Sequence, residues 1–293
     1  MAFKSIKKAL ESIALAASLS LAPAAANADN TRLEAAPHRL WIDENKTEAR
    51  IAVLGADVVF GCLKSGIGSR INDNGFWKGC AKGSLAGMVT FAGEYIASYN
   101  NYPMFGAAGK LVHDAGISAQ DNVMRGEPAL SQYQTDIGPV TMTFRGSIVP
   151  TDYYITALPI GAIAGNLIKG QELDLKNSLY NLTPVFKMRN MMMNGTVDGY
   201  TIGNVISYYP DRFSGSSVLS HEFNHALFWS KMKFCGDLLH PVPYMKDIEK
   251  LWNVGQDLCY GMINLPMAID NKAYPFQPHE LEAFSMERNS KDY

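Results

Sequence analysis

The sequence predicts a mixed α+β fold, and three observations predict it. Helical patterning covers residues 76 to 99 and 103 to 123, short β-type runs punctuated by Pro and Gly fall within residues 133 to 209, and a capped helical run begins at Ser216. At 293 residues, 47% hydrophobic and 18% charged, the chain is long enough to bury a sizeable core. Lys and Arg total 26 against 28 Asp and Glu, a formal net charge of -2 with no polybasic block. The electrostatic footprint of a nucleic-acid binder is absent, so neither DNA nor RNA is expected as a partner.

From the N-terminus, residues 1–28 read as a signal peptide. Lys4, Lys7 and Lys8 form a basic start, Ile13 to Leu21 is an apolar run too short to span a bilayer, and Ala26-Asn27-Ala28 offers small residues for cleavage. Cleavage near Ala28 removes three Lys and Glu11, taking the net charge from -2 to -4. Residues 29–293 are then expected as one exported domain, periplasmic or secreted. Export gives Cys62, Cys80, Cys235 and Cys259 a role: an even set without CxxC spacing in an oxidising compartment points to disulfides rather than thiolate metal binding. Loop entropy favours the near pairings, Cys62 with Cys80 and Cys235 with Cys259, among the three possible.

Residues 39 to 55 alternate weakly and suit a strand or short helix. Residues 76 to 99, rich in Gly, Ala and apolar groups with Glu94 interrupting, predict a buried helix, and residues 103 to 123 predict a second one despite Gly106, Gly109 and Gly116. The run around Val140, Met142 and Phe144, then Tyr153 to Ile155, Val185 to Met193 and Tyr200 to Tyr209, predict strands of a small, mostly antiparallel sheet. Asn194-Gly195 and Asp198-Gly199 are hairpin-type dipeptides, and Pro210 ends the last run. Residues 158 to 168 fit a buried helix or a strand pair. Neither residues 83 to 99 nor 158 to 168 reach spanning length, so no transmembrane segment is expected in the mature chain. Ser216 or Ser217 caps the next helix, with Lys231 and Lys233 near its C-terminal end where the helix dipole favours cations. Further helices are expected over residues 244 to 252 and from Pro278.

The chemistry sits in the capped helix, as His221-Glu222-Phe223-Asn224-His225. Residues four apart share a helical face, so both imidazoles can reach one ion. Glu222, rotated by about 100° from His221, addresses a metal-bound water instead. A catalytic zinc takes three protein ligands and keeps one position open. The metzincin spacing is disfavoured, because Lys231 stands where its third histidine belongs and Phe228 where its glycine does. Downstream, Glu280-Leu281-Glu282-Ala283 supplies a carboxylate followed three residues later by a small residue. Glu282, His279 and His240 compete with Glu280 for the third place, and Glu282 would point about 200° away from Glu280 on a helix. His113-Asp114 reads as a structural pair outside the site.

HEFNH together with ELEA resembles a zincin metallopeptidase of the gluzincin type, whose nearest pattern is HExxH with a downstream ExxAD. The likeness covers only the motif helix and the C-terminal segment, and Phe284 stands where that pattern has Asp. It implies an HExxH helix and a glutamate-bearing helix packed beside a small mostly antiparallel sheet, with additional N-terminal helices. It further implies Zn2+ held by His221, His225 and Glu280, with Glu222 as general base. A peptide or protein would be the substrate; Tyr244, Tyr260 and Tyr274 are candidates for the oxyanion partner by location alone. The alternative is a non-catalytic exported binding protein whose metal is structural.

Overall fold

The computed structural model describes residues 46–99, 104–189, 199–210 and 215–233, with Cys235, Gln256, Cys259, Glu282, Ala283 and Met286. The expected leader, the Asn194-Gly195 dipeptide, Met191 to Met193, His240, the three tyrosines of residues 244 to 274, His279 and Glu280 lie outside the described residues.

The described chain is α+β. Helix α1 (Lys46–Ile71) leads, followed by α2 (Phe76–Ala97), α3 (Phe105–Met124), β1 (Tyr133–Ile137), β2 (Val140–Phe144), β3 (Asp152–Ile155) and α4 (Ala157–Ile168). Then come β4 (Glu172–Leu173), α5 (Leu175–Asn181), β5 (Val185–Lys187), β6 (Gly199–Ile202), β7 (Val205–Tyr208) and α6 (Gly215–Lys231). The weakly alternating segment before Gly55 is thus the start of a 26-residue helix. Gly61, Gly66 and Gly68 of this helix serve packing. Gly61 of α1 and Gly83 of α2 face each other so closely that a Cβ on either would collide with the other's carbonyl oxygen. Only glycine permits this backbone approach. The Cys62–Cys80 disulfide ties the same antiparallel pair, and α3 runs alongside, Ser65 and Ser69 donating to the carbonyls of Gln120 and Val123.

Two small sheets follow. One is antiparallel in the order β1-β2-β3; the other has the order β4-β5-β7-β6, with β5 and β7 parallel and the remaining pairs antiparallel. The Tyr200 to Tyr209 run is a hairpin rather than one strand, because Gly203, at φ 63°, makes the turn between β6 and β7. Likewise Gly138, at φ 58°, splits the run before Phe144 into β1 and β2. Of the two readings open for residues 158 to 168 the helix is found, but it lies on the surface: only Pro159 and Asn166 are buried. Asp174 starts α5 by accepting from the Asn177 main-chain N–H at 3.2 Å, and the Tyr208 hydroxyl donates to its other oxygen at 2.8 Å.

The apolar core sits between the second sheet and α6, where Val185, Ile206 and Tyr208 pack against Leu219, Phe223 and Leu227. Every described side chain of α6 from Leu219 onward is buried, Trp229 completely. The helix is therefore central rather than amphipathic. The Cys235–Cys259 disulfide anchors the chain just beyond it, and Gln256 donates to the Trp229 carbonyl at 2.9 Å.

Lys231 stands in the last turn of α6 as expected, and both it and Lys233 are buried in ion pairs. One expectation is corrected by burial: α2 is not a buried helix, since Leu85, Met88, Val89 and Tyr95 are exposed, while Gly83, Gly87, Thr90, Gly93 and Glu94 face the interior. In addition, Thr47–Ile71 is long and apolar enough to cross a membrane by length and composition, with a third of its most apolar window buried.

Candidate metal centre

The HExxH residues occupy two turns of α6. One helical turn brings His225 Nε2 to 3.1 Å from His221 Nε2, with the two rings at 86°. Two nitrogens bound to one tetrahedral zinc at about 2.0–2.1 Å would stand about 3.3–3.4 Å apart. The pair, which stands at hydrogen-bond distance, is within a few tenths of an ångström of that separation, so the two imidazoles are spaced as two ligands of one zinc would be. All three motif residues are nearly enclosed, at 7, 6 and 6% exposure for His221, Glu222 and His225.

Glu222 is positioned by the edge strand. Thr201 of β6 places its hydroxyl 2.8 Å from Glu222 Oε2 and 2.9 Å from the Glu222 main-chain oxygen, and its single proton serves one acceptor at a time. At the start of the same strand, Gly199 leaves room for the carboxylate, because a Cβ there would lie 2.9 Å from Glu222 Cγ and 2.8 Å from Val218. Among the described residues strand β6 is the edge of its sheet, antiparallel to β7, and it borders the motif helix.

Two turns beyond Glu222, the same helix carries Lys231 into a cage of acids. Its ammonium donates to Asp57 at 2.7 Å and to Glu282 at 3.0 Å, and lies 2.6 Å from Glu94. Burial alone would lower the Lys231 pKa, but the Asp57, Glu282 and Glu94 carboxylates raise it well above the usual lysine value. Burial, with Asp57 and Glu282 adding to it, raises the Glu94 carboxyl well above the ordinary range. Burial likewise raises Glu282, against the pull of Lys231 and a smaller one from His225. The three carboxylates lie within 4.8 Å of one another. Lys231 is their shared counter-ion.

The charge network continues away from the motif. His113 Nε2 stands 3.5 Å from Glu94, and its Nδ1 is 3.2 Å from Asp114, which also receives Lys110 at 3.1 Å and the Thr135 hydroxyl at 2.7 Å. Burial lowers the His113 pKa, so its imidazole is held neutral. Asp136 closes the chain, accepting from Ser230 at 3.0 Å and pairing with Lys233 at 3.1 Å. His113 and Asp114 are thus integral to a buried network and lie off the motif face.

Of the residues expected from sequence, His221, Glu222 and His225 are brought together, and Glu280 lies outside the described residues. Glu282, weighed as an alternative ligand, is engaged by Lys231. Sequence reasoning missed Thr201, whose β-branched hydroxyl in a β-rich run carries no signal of its own. It also missed the Lys231 cage, whose members are separated by up to 225 positions. No family model, curated protein or solved structure matches this chain.

Proposed function

We propose that the protein is an exported zinc-dependent metallohydrolase acting on peptides or proteins, with the zinc held by His221, His225 and, from the downstream ELEA segment, Glu280. The observation that carries this reading is the convergence of the two Nε2 atoms at 3.1 Å beside a carboxylate oriented by an edge strand. The zincin-like arrangement is supported by the motif helix lying against β6, the antiparallel edge of a small sheet. Export is supported by the two disulfides.

Bound zinc supplies an acidified water and polarises the carbonyl under attack. Glu222, whose Oε2 Thr201 holds in place, would accept the water proton on its carboxylate and later return it to the leaving amine. The enclosure of the motif excludes bulk water, strengthening the electrostatic interactions within. The Lys231 cage stiffens the helix that carries both histidines, since its four members come from α1, α2, α6 and the Glu282 segment.

Elemental analysis of the purified protein tests the reading before any substrate is known. One zinc per chain is expected, lost on His221→Ala or His225→Ala. A metal-free wild type prepared without chelator refutes the proposal. Stoichiometric zinc in a protein that hydrolyses no peptide library would favour a non-catalytic binding protein with a structural metal.

A further inference from the structure

We infer that the outer face of the α1–α2 hairpin is a membrane-binding surface that rests on a bilayer containing anionic lipid, with the helix axes along the membrane plane. The helices are amphipathic in the opposite sense from that of a water-facing helix, which turns its apolar stripe to the core and its charges to solvent. On α1 the buried positions include Asp57, Lys64, Ser65, Ser69 and three glycines, with Ala49 and Val53 the buried apolar ones, whereas Ile51 is 62% exposed and Val59 49%. On α2 the buried positions are glycines, Ala86, Ala97, Thr90 and Glu94, small or polar residues throughout, whereas Leu85 is 65% exposed and Met88 50%.

The interior of the hairpin is complete without those side chains. Asp57 is bound to Lys231, Lys64 pairs with Asp121 of α3, and the Gly61–Gly83 contact brings the backbones together. Close approach through small residues and pairing of every buried charge is how helices pack where the surroundings are lipid. The apolar side chains outside have no part in this packing, and together they form a strip about 30 Å long by helical rise. A strip of this size on a water-facing surface marks an interaction site.

The rim of the strip identifies the occupant. At one end stand exposed Trp77, Lys78, Lys82 and Arg70; at the other, the Arg50 guanidinium lies 5.4 Å over the Tyr95 ring, with Tyr99 next to it. Trp, Tyr and basic side chains around an apolar strip match the headgroup level of a bilayer, where amphipathic rings and cations meet lipid phosphates. Lysine is depleted at protein–protein interfaces, so the exposed Lys78 and Lys82 favour lipid over a second protein copy. Strands of the first sheet pack against the middle of α3, the Ser118 and Gln134 pair among them, so the hairpin contacts the bilayer by one face and does not span it.

The test is flotation of the purified full chain with vesicles of phosphatidylcholine alone or mixed with phosphatidylglycerol. The wild type is expected to float with the mixed vesicles. Lys78→Gln and Lys82→Gln should each weaken that binding about five-fold, and Val59→Asp combined with Leu85→Asp should abolish it with an unchanged circular dichroism spectrum. Brominated lipid should quench wild-type tryptophan fluorescence and quench Trp77→Phe less, a reading that needs no folded charge variant. A wild type that stays in the aqueous fraction with both vesicle types overturns the proposal. So does a dimer, seen by light scattering, that the double Asp variant dissociates while neither form floats, since a second copy then covers the face.

Discussion

Thr201 Oγ1 lies 2.8 Å from Glu222 Oε2, joining the edge strand to the carboxylate that the motif assigns as the general base. A hydrogen bond to a charged group contributes about 1.5–3 kcal/mol. Thr201→Val keeps the shape and removes the donor, so it should lower kcat about ten-fold or more with KM and zinc content little changed. Thr201→Ser should restore most of it. Equal activity of the Val and Ser variants would show that Thr201 only fills space.

Glu222→Gln separates chemistry from metal binding. The amide oxygen still accepts from Thr201, so the fold and the imidazole pair are preserved, but the side chain no longer takes a proton. Hydrolysis should fall by at least the roughly 10²–10⁴-fold that a positioned base contributes, while zinc stoichiometry stays at the wild-type level. Full retention of activity on a verified substrate removes Glu222 from the mechanism.

How much of this was legible in the sequence depends on the range over which each feature acts. The motif helix was readable because His221, Glu222 and His225 are local, and the near disulfide pairings followed from loop entropy. Helix α1 was not, because Gly55, Gly61, Gly66 and Gly68 look like breaks when their partner helix is unknown. The exposed face of α2 is not legible for a related reason: a helix rich in Ala, Gly and apolar residues reads as buried all round until Gly83 is seen against Gly61. The turns at Gly138 and Gly203 divide continuous β-type runs that composition alone cannot divide. The Lys231 cage is wholly non-local, and its acids are unremarkable singly.

Lys231→Met tests what that cage contributes to folding. Methionine fills similar volume but leaves three buried carboxylates without their shared cation, and breaking a buried pair from one side costs about 3–5 kcal/mol. The urea midpoint should fall accordingly, if the chain folds at all, and combining the change with Asp57→Asn should recover part of the loss. A single variant as stable as wild type would mean that solvent reaches the cage and screens it.

The same cage makes stability depend on pH through Glu94, whose carboxyl is raised above the value of 4.5 it has when free. Below that value folded and unfolded chains both hold the proton. As pH rises the unfolded chain releases it first, so the folded state binds more protons and loses relative stability until its own raised pKa is passed. Each unit of separation corresponds to about 1.4 kcal/mol. Glu94→Gln does not titrate and still offers an oxygen to Lys231, so this loss disappears. In urea melts with chelator present, the stability of Glu94→Gln relative to wild type should therefore improve between about pH 5 and about pH 8. A difference that is flat across that range, or that moves the other way, would show that Glu94 ionises normally and that Lys231 balances all three acids.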